Sequence, residues 1–289
     1  MALVTSTELL ARARKEHYAV PAFNANCYEM INALIRAAEA EGAPLIVQIG
    51  KKWLSYLPAD EIGALALHLA KKASVPVCIH LDHGADYAMA KACLESGFTS
   101  VMYDGSHEET FELNLQRTAE VVKAAHAKGI SVEAEVGGIG GVEDGVASNG
   151  ELADPQQCKA IADLGVDFLA CGIGNIHGIY PENWAGLSFD RLQEIKALTG
   201  DLPLVLHGGT GIPVDQIQKA ISLGISKINV NTDLQVVFAE ATRKYIEEGK
   251  DQQGKGYDPR KLLKPGRDAI KARTAELMRE FGSDGKGWA

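Results

Sequence analysis

Several protein classes are excluded by what this chain lacks. Basic residues are not in excess: 29 Lys and Arg stand against 38 Asp and Glu, a formal net charge of −9. A nucleic-acid partner is therefore not expected, because phosphate backbones select for clustered Lys and Arg. A small phosphorylated ligand stays open, since it needs only a local positive field. No apolar run approaches the roughly 20 residues of a membrane span, so no membrane partner is expected. The first residues form no secretory core, since Leu9 and Leu10 are soon followed by Arg12, Arg14 and Lys15. Thr5-Ser6-Thr7-Glu8 reads instead as a capping box opening a helix. The five cysteines (Cys27, Cys78, Cys93, Cys158, Cys171) are odd in number and have no C-x-x-C spacing. That pattern predicts reduced, mostly buried thiols and a cytoplasmic setting.

Familiar catalytic loops are missing as well. Gly138-Ile-Gly140 and Gly172-Ile-Gly174 fail the dinucleotide fingerprint, because its third glycine would fall at Glu143 and His177. No G-K-[ST] follows either segment, which excludes a Walker loop, and there is no H-E-x-x-H and no early H-x-H pair. No low-complexity tract or long linker divides the 289 residues.

What is present is a regular alternation. Strand patterns at Tyr18–Phe23, Pro44–Ile49, Val75–Leu81, Thr99–Tyr103, Ile130–Val136, Val166–Cys171, Leu204–His207 and Ser226–Val230 are separated by amphipathic helical stretches. Gly97, Gly129, Gly165 and Gly224 each follow a helical run, as glycines that end helices do. Eight such units predict a (β/α)8 TIM barrel over residues 1–289, with a doubly wound sheet as the alternative. Residues 249–289 read as a C-terminal helical extension, broken at Pro265-Gly266 and packed on the barrel or on a neighbouring subunit.

In such a barrel the residues at the C-terminal ends of strands line the site. Here those are Asn24, Asp82 and His83, Asp104, Glu133 and Glu135, His177, His207, and Asn229 and Asn231. His83, His177 and His207 each precede a glycine. Singly, each is an ordinary strand-end histidine; together on one rim they form the donor set of a catalytic zinc, and imidazole also suits cobalt, iron or nickel. The other histidines (His17, His68, His80, His107, His126) are read as structural. Asp82 stands for general acid–base work or for orienting a histidine ligand; both it and His83 reach the site only where the strand ends, which Gly84 permits. The Gly137–Gly145 segment reads as a mobile lid carrying Glu143, or as a surface turn with solvated acids. The loops His207–Pro213 and Asn229–Thr232, rich in Gly, Asn and Thr, fit a phosphate held on backbone N–H groups.

Those segments resemble a known family. Tyr-Ala-Val-Pro-Ala-Phe-Asn (18–24), Ile-His-Leu-Asp-His-Gly (79–84), Ser-Val-Met-Tyr-Asp-Gly-Ser (100–106) and Val-Glu-Ala-Glu-Val-Gly (132–137) are similar to the class II ketose-bisphosphate aldolases. So are Gly-Gly-Val-Glu-Asp-Gly (140–145), Leu-Val-Leu-His-Gly-Gly-Thr-Gly-Ile-Pro (204–213), Lys-Ile-Asn-Val-Asn-Thr (227–232) and Tyr-Asp-Pro-Arg (257–260). The likeness runs from the first helix to the C-terminus without a missing block. It implies Zn2+, or another divalent ion such as Co2+, on His83, His177 and His207. It further implies Asp82 as the acid–base group at the ketose C4 oxygen and Glu143 as the group moving the C3 proton. Phosphate is then held by Gly178, Gly208, Gly209, Thr210, Asn229, Asn231 and Thr232. In some relatives Asp104 and Glu135 bind a second metal, and Na+ or K+ assists near the phosphate loops.

Departures bear on the substrate. Gly50 stands where many relatives have a phosphate-contacting serine, followed by an unusual Lys51-Lys52-Trp53. Asn175 stands where a small residue often precedes the histidine. The Gly-Gly-Thr-Gly loop favours fructose 1,6-bisphosphate over tagatose 1,6-bisphosphate or keto-acid phosphates. Arg260 is expected at the distal phosphate, across a subunit boundary of a homodimer or homotetramer. The expected activity is reversible cleavage to dihydroxyacetone phosphate and glyceraldehyde 3-phosphate, with the metal as Lewis acid. The rivals are a Schiff-base aldolase using Lys227 and a metallohydrolase or non-catalytic metal-binding barrel.

Overall fold

Eight buried strands close on themselves in this computed structural model, which describes residues 2–143, 146–148 and 150–288. The barrel strands are β1 (Val20–Asn24), β2 (Leu45–Gly50), β3 (Val77–Gly84), β4 (Ser100–Tyr103) and β5 (Ser131–Val136). After a small hairpin of β6 (Gly140–Glu143) and β7 (Val146–Ser148), the barrel continues with β8 (Phe168–Cys171). A two-residue β9 (Ile176–His177) precedes β10 (Leu204–Leu206) and β11 (Ile225–Val230). Each barrel strand pairs in parallel with the next, and β1 closes on β11 through Val20↔Lys227 to Phe23↔Val230. That closure decides for the barrel and against a doubly wound sheet. All eight strand patterns read from the sequence are present, within a few residues at each end.

Side-chain alternation divides the strands into two faces. Phe23, Val47, Ile79, Leu81, Val101, Leu169 and Ile228 point outward into a core shared with the helices. Val20, Ala22, Ile46, Cys78, Phe168, Ala170 and Val205 point inward and pack on Leu9 and Leu10 of the helix Ser6–Glu16, which closes the bottom of the barrel. Thr5 is the N-cap of that helix, yet its side chain makes no capping bond. Instead Ser6 turns inward, its N–H donating to Ser131 Oγ at 3.1 Å and its hydroxyl 3.2 Å from Cys78 Sγ. Packing overrides the capping box here.

Gly97, Gly129, Gly165 and Gly224 all have positive φ at helix ends. The break in the C-terminal extension lies earlier than the sequence suggests. Pro259–Leu262 is one short helix and Lys264–Glu280 another, with Pro265 in the first turn of the second. Proline is tolerated there because that N–H has no helical partner anyway. The long helix packs on Thr232–Glu247 and Tyr28–Glu41. A six-residue helix at Lys51–Tyr56, following β2, had no counterpart in the sequence reading. The five cysteines form no disulfide. No helix among the described residues is long and apolar enough to cross a membrane.

Candidate active site

The upper ends of the strands carry a cleft lined by Asn24, Asp82, His83, His177, Gly178, Gly208, Thr210, Asn229, Asn231 and Thr232. These residues come from β1, β3, β9, β11 and the segments after β9, β10 and β11, so the barrel gathers positions more than 200 residues apart in sequence.

Strand β3 shows how neighbours in sequence can share one site. Asp82 and His83 would face opposite ways on a regular strand. The β3–β4 register shifts between Leu81 and Gly84, and His83 itself has φ +49°. The left-handed residue is His83, and β3 runs on through Gly84 rather than ending at the Asp82-His83 pair as the sequence suggests. Gly84 serves close packing: a Cβ there would stand 2.3 Å from the Met102 carbonyl oxygen. A non-glycine residue held in this region is strained, and such strain clusters at functional sites.

The three histidines converge. Their ligand atoms all lie within 4.8 Å of one another. The ring centroids are 4.7 Å apart for His83–His207, 5.2 Å for His83–His177 and 6.0 Å for His177–His207. His83 Nδ1 bonds Asp104 Oδ2 at 2.7 Å, and its Nε2 faces His207 Nδ1 at 3.0 Å. His207 Nε2 in turn lies 2.8 Å from Glu133 Oε1. Burial pushes His83 down, but Asp82 and Asp104 outweigh it and raise this imidazole well above its ordinary value. Burial also drives His207 down to about 4, against the bond to Glu133.

These donors fit a divalent cation. Two imidazole nitrogens face each other with carboxylates behind them, an arrangement that seats positive charge. Glu135 Oε2 and Asn229 Oδ1 are buried without a hydrogen-bond partner. His83, Asp104 and Glu135 form a second group of donors within 4.8 Å. Burial and the Asp104 charge raise Glu135 well above the carboxylate range, a penalty that a cation would relieve.

Asp82 is placed differently. It is 2 % exposed and accepts from Asn24 Nδ2 at 2.8 Å and Asn229 Nδ2 at 3.2 Å. Burial raises it, but the positive field of His83, His207 and Lys227 prevails and keeps it below the usual carboxylate range. With the outer nitrogens of His83 and His207 already on Asp104 and Glu133, Asp82 is free to meet a substrate oxygen as an ionised base.

The loops above this centre are tightly laced. Gly208 has φ +63°, and a Cβ on it would lie 2.0 Å from the Ile176 carbonyl oxygen. Gly209 N–H donates to the Asn229 carbonyl at 2.8 Å. Tyr180, not singled out in the sequence, and Asn175, noted there only as a departure, join the segments that carry His177 and His207. Asn175 Nδ2 donates to the His207 carbonyl at 3.0 Å, and the Tyr180 hydroxyl to the Gly208 carbonyl at 2.8 Å. The Asn175 departure from the family pattern is the signal that marks this contact. Gly208→Ala is expected to destabilise the fold by roughly 2–5 kcal/mol, combining left-handed strain with overpacking. Urea denaturation measures this directly.

The Glu143 segment is a hairpin rather than an irregular loop. β6 pairs antiparallel with β7 and parallel with β9, matching Gly141 to His177. A Cβ on Gly141 would fall 2.1 Å from the His177 carbonyl oxygen. The backbone of Glu143 therefore lies two residues from the partner of His177; its side chain, and all of Asp144, lie outside the described residues. Arg260 does not line the cleft. Its side chain is 90 % exposed and paired with Asp258 at 2.6 Å. Lys227 is buried and donates to Glu133 Oε2 at 2.6 Å.

Comparison with known proteins agrees with this arrangement. The family model described as "Fructose-bisphosphate aldolase class-II" matches residues 4–286. The chain is 48% identical to the fructose-bisphosphate aldolase of Streptococcus pyogenes serotype M3, covering 99% of this chain and 100% of that one. It is 46% identical to the fructose-bisphosphate aldolase of Mycoplasma pneumoniae, over 98% and 99% of the two chains. Among solved structures, the YdjI aldolase from Escherichia coli K12 superposes with a TM-score of 0.83 at 33% identity, covering 99% of this chain and 100% of that one. With its barrel, its cleft and a match along nearly its whole length, this chain belongs to the class II fructose-bisphosphate aldolase family.

Proposed function

We propose that this chain reversibly cleaves fructose 1,6-bisphosphate between C3 and C4, giving dihydroxyacetone phosphate and glyceraldehyde 3-phosphate. The observation that carries the reading is the convergence of three imidazoles beside Asp82, with His83 and His177 lining one cleft and His207 buried behind them. His83, His177 and His207 would hold a divalent ion, zinc as is general in this family, and that ion would supply Lewis-acid stabilisation of the charge that develops as the bond breaks.

The protein's own groups do the rest. Asp82 takes the C4 hydroxyl proton during cleavage, and Asn24 and Asn229 hold its carboxylate in place. Glu143, carried by the hairpin docked on β9, returns a proton to C3. A phosphate settles on the backbone of Gly178, Gly208, Gly209 and Thr210, and at the start of the helix Thr232–Glu247 with Asn229 and Asn231. No Lys or Arg among the described residues lines this cleft, so the backbone N–H groups and the helix dipole are left to carry the anion. Arg260, at the surface, serves the distal phosphate from a neighbouring subunit. The cytoplasm suits five unpaired thiols.

The Schiff-base alternative loses its amine. The Lys227 ammonium is tied to a buried carboxylate, whereas an imine requires a neutral nitrogen. Metallohydrolysis is separated by a sugar-phosphate panel. Release of triose phosphate from fructose 1,6-bisphosphate, exceeding that from tagatose 1,6-bisphosphate, is the expected result. Release of inorganic phosphate without triose phosphate would refute the aldolase.

A further inference from the structure

Beneath the cleft lies a polar group that the proposed chemistry leaves unused. Lys227, Glu133 and His80 are fully buried inside the barrel, on β11, β5 and β3. Lys227 Nζ donates to Glu133 Oε2 at 2.6 Å, and His80 Nε2 lies 3.1 Å from the same oxygen. His80 is steadied from behind, its Nδ1 2.8 Å from Ser100 Oγ. The other carboxylate oxygen, Oε1, lies 2.8 Å from His207 Nε2. One carboxylate thus divides its two oxygens between a lysine and a candidate metal ligand.

The division fixes a tautomer. With Lys227 donating to Oε2, the Glu133 carboxylate accepts at Oε1, so the 2.8 Å contact places the His207 proton on Nε2, ahead of the longer 3.2 Å contact of that nitrogen with Asn229 Nδ2, and leaves the lone pair at Nδ1. Nδ1 is the atom that meets His83 Nε2 at 3.0 Å in the shared donor set. Lys227 thus fixes which carboxylate oxygen is left for the histidine, and the pair satisfies two polar groups that would be costly to bury alone. Packing alone does not call for this arrangement, since apolar residues of similar volume commonly replace a buried ion pair without loss of stability.

We propose that Lys227 and Glu133 are positioning residues for the metal centre. Lys227 holds one oxygen of the carboxylate, and the other oxygen holds His207 in the tautomer and ring orientation that aims Nδ1 at the ion. This rests on the metal-dependent reading above and deepens it.

Two measurements that need no substrate test it, and kinetics adds a third. In zinc-loaded, 15N-labelled wild-type protein, the ring nitrogens of His207 are expected to report zinc on Nδ1 and a proton on Nε2. Zinc on Nε2 would overturn the proposal. Lys227→Met is expected to weaken zinc binding by roughly 10–100-fold, read by competition with a chromophoric chelator, and to alter the visible spectrum of the cobalt-loaded protein. Its kcat should fall with little change in KM for fructose 1,6-bisphosphate. A purely structural pair would lower the melting temperature and leave zinc affinity unchanged, and that result contradicts the proposal. Should Lys227→Met fail to fold, Glu133→Gln/Lys227→Met buries no charge at these positions and is expected to show the same loss; unchanged affinity there counts equally against it. Zinc on Nδ1 in a chain without aldolase activity would refute the proposed function and leave the positioning role standing. Cleavage with zinc on Nε2 would do the reverse.

Discussion

Asp82→Asn is expected to lower kcat by about 10²–10⁴-fold, the range of a positioned general acid–base group, while zinc content stays unchanged. The substitution keeps the shape of the side chain and one acceptor for the amides of Asn24 and Asn229. It removes the capacity to take a proton. The sequence alone left a second role open, that of orienting a histidine ligand. The geometry supports the first role, because the outer nitrogens of His83 and His207 are already engaged by Asp104 and Glu133. Steady-state kinetics with metal analysis separates the two: an orienting residue would lose zinc in parallel with activity, whereas a proton carrier would not.

His207→Ala should have the larger effect and a different signature. It deletes one of three donors from a set whose atoms lie within 4.8 Å. A Lewis acid contributes several kcal/mol to the developing charge, so its loss corresponds to about 10³-fold or more in rate. Zinc should be absent from the purified variant, and addition of zinc at concentrations that saturate the wild type should not restore the rate. The variant also leaves the Glu133 Oε1 oxygen without its partner, so some loss of thermal stability is expected alongside.

The barrel was legible because its signals are local. A parallel strand buried on both faces is a short apolar run, and a helix that ends in a left-handed turn favours glycine, as Gly97, Gly129, Gly165 and Gly224 show. The cleft was legible for a related reason: in this architecture the end of each strand points to one rim, so His83 and His207 could be assigned to it without knowing any distance. What escaped depends on contacts between distant segments. Nothing near Asn175 or Tyr180 says that they bond the carbonyls of His207 and Gly208. Glu133 and Glu135 look alike on one strand, yet one meets Lys227 and His207 while the other lies beside Asp104. The left-handed turn fell at His83 because the β3–β4 bulge, not the neighbouring glycine, sets the backbone there. The helix Lys51–Tyr56 is too short to show a periodicity. Arg260 carries a family motif, but within one chain it faces solvent, paired with Asp258 and away from the cleft.

One titration reaches the centre of the account most directly. Purified protein is stripped with a chelator, assayed on fructose 1,6-bisphosphate through a triose-phosphate-coupled reaction, and then resupplied with zinc in steps. Activity should vanish on stripping and return in proportion to zinc, reaching its full value near one ion per chain. Cleavage that persists in fully stripped protein would show that the three histidines are not the seat of the reaction.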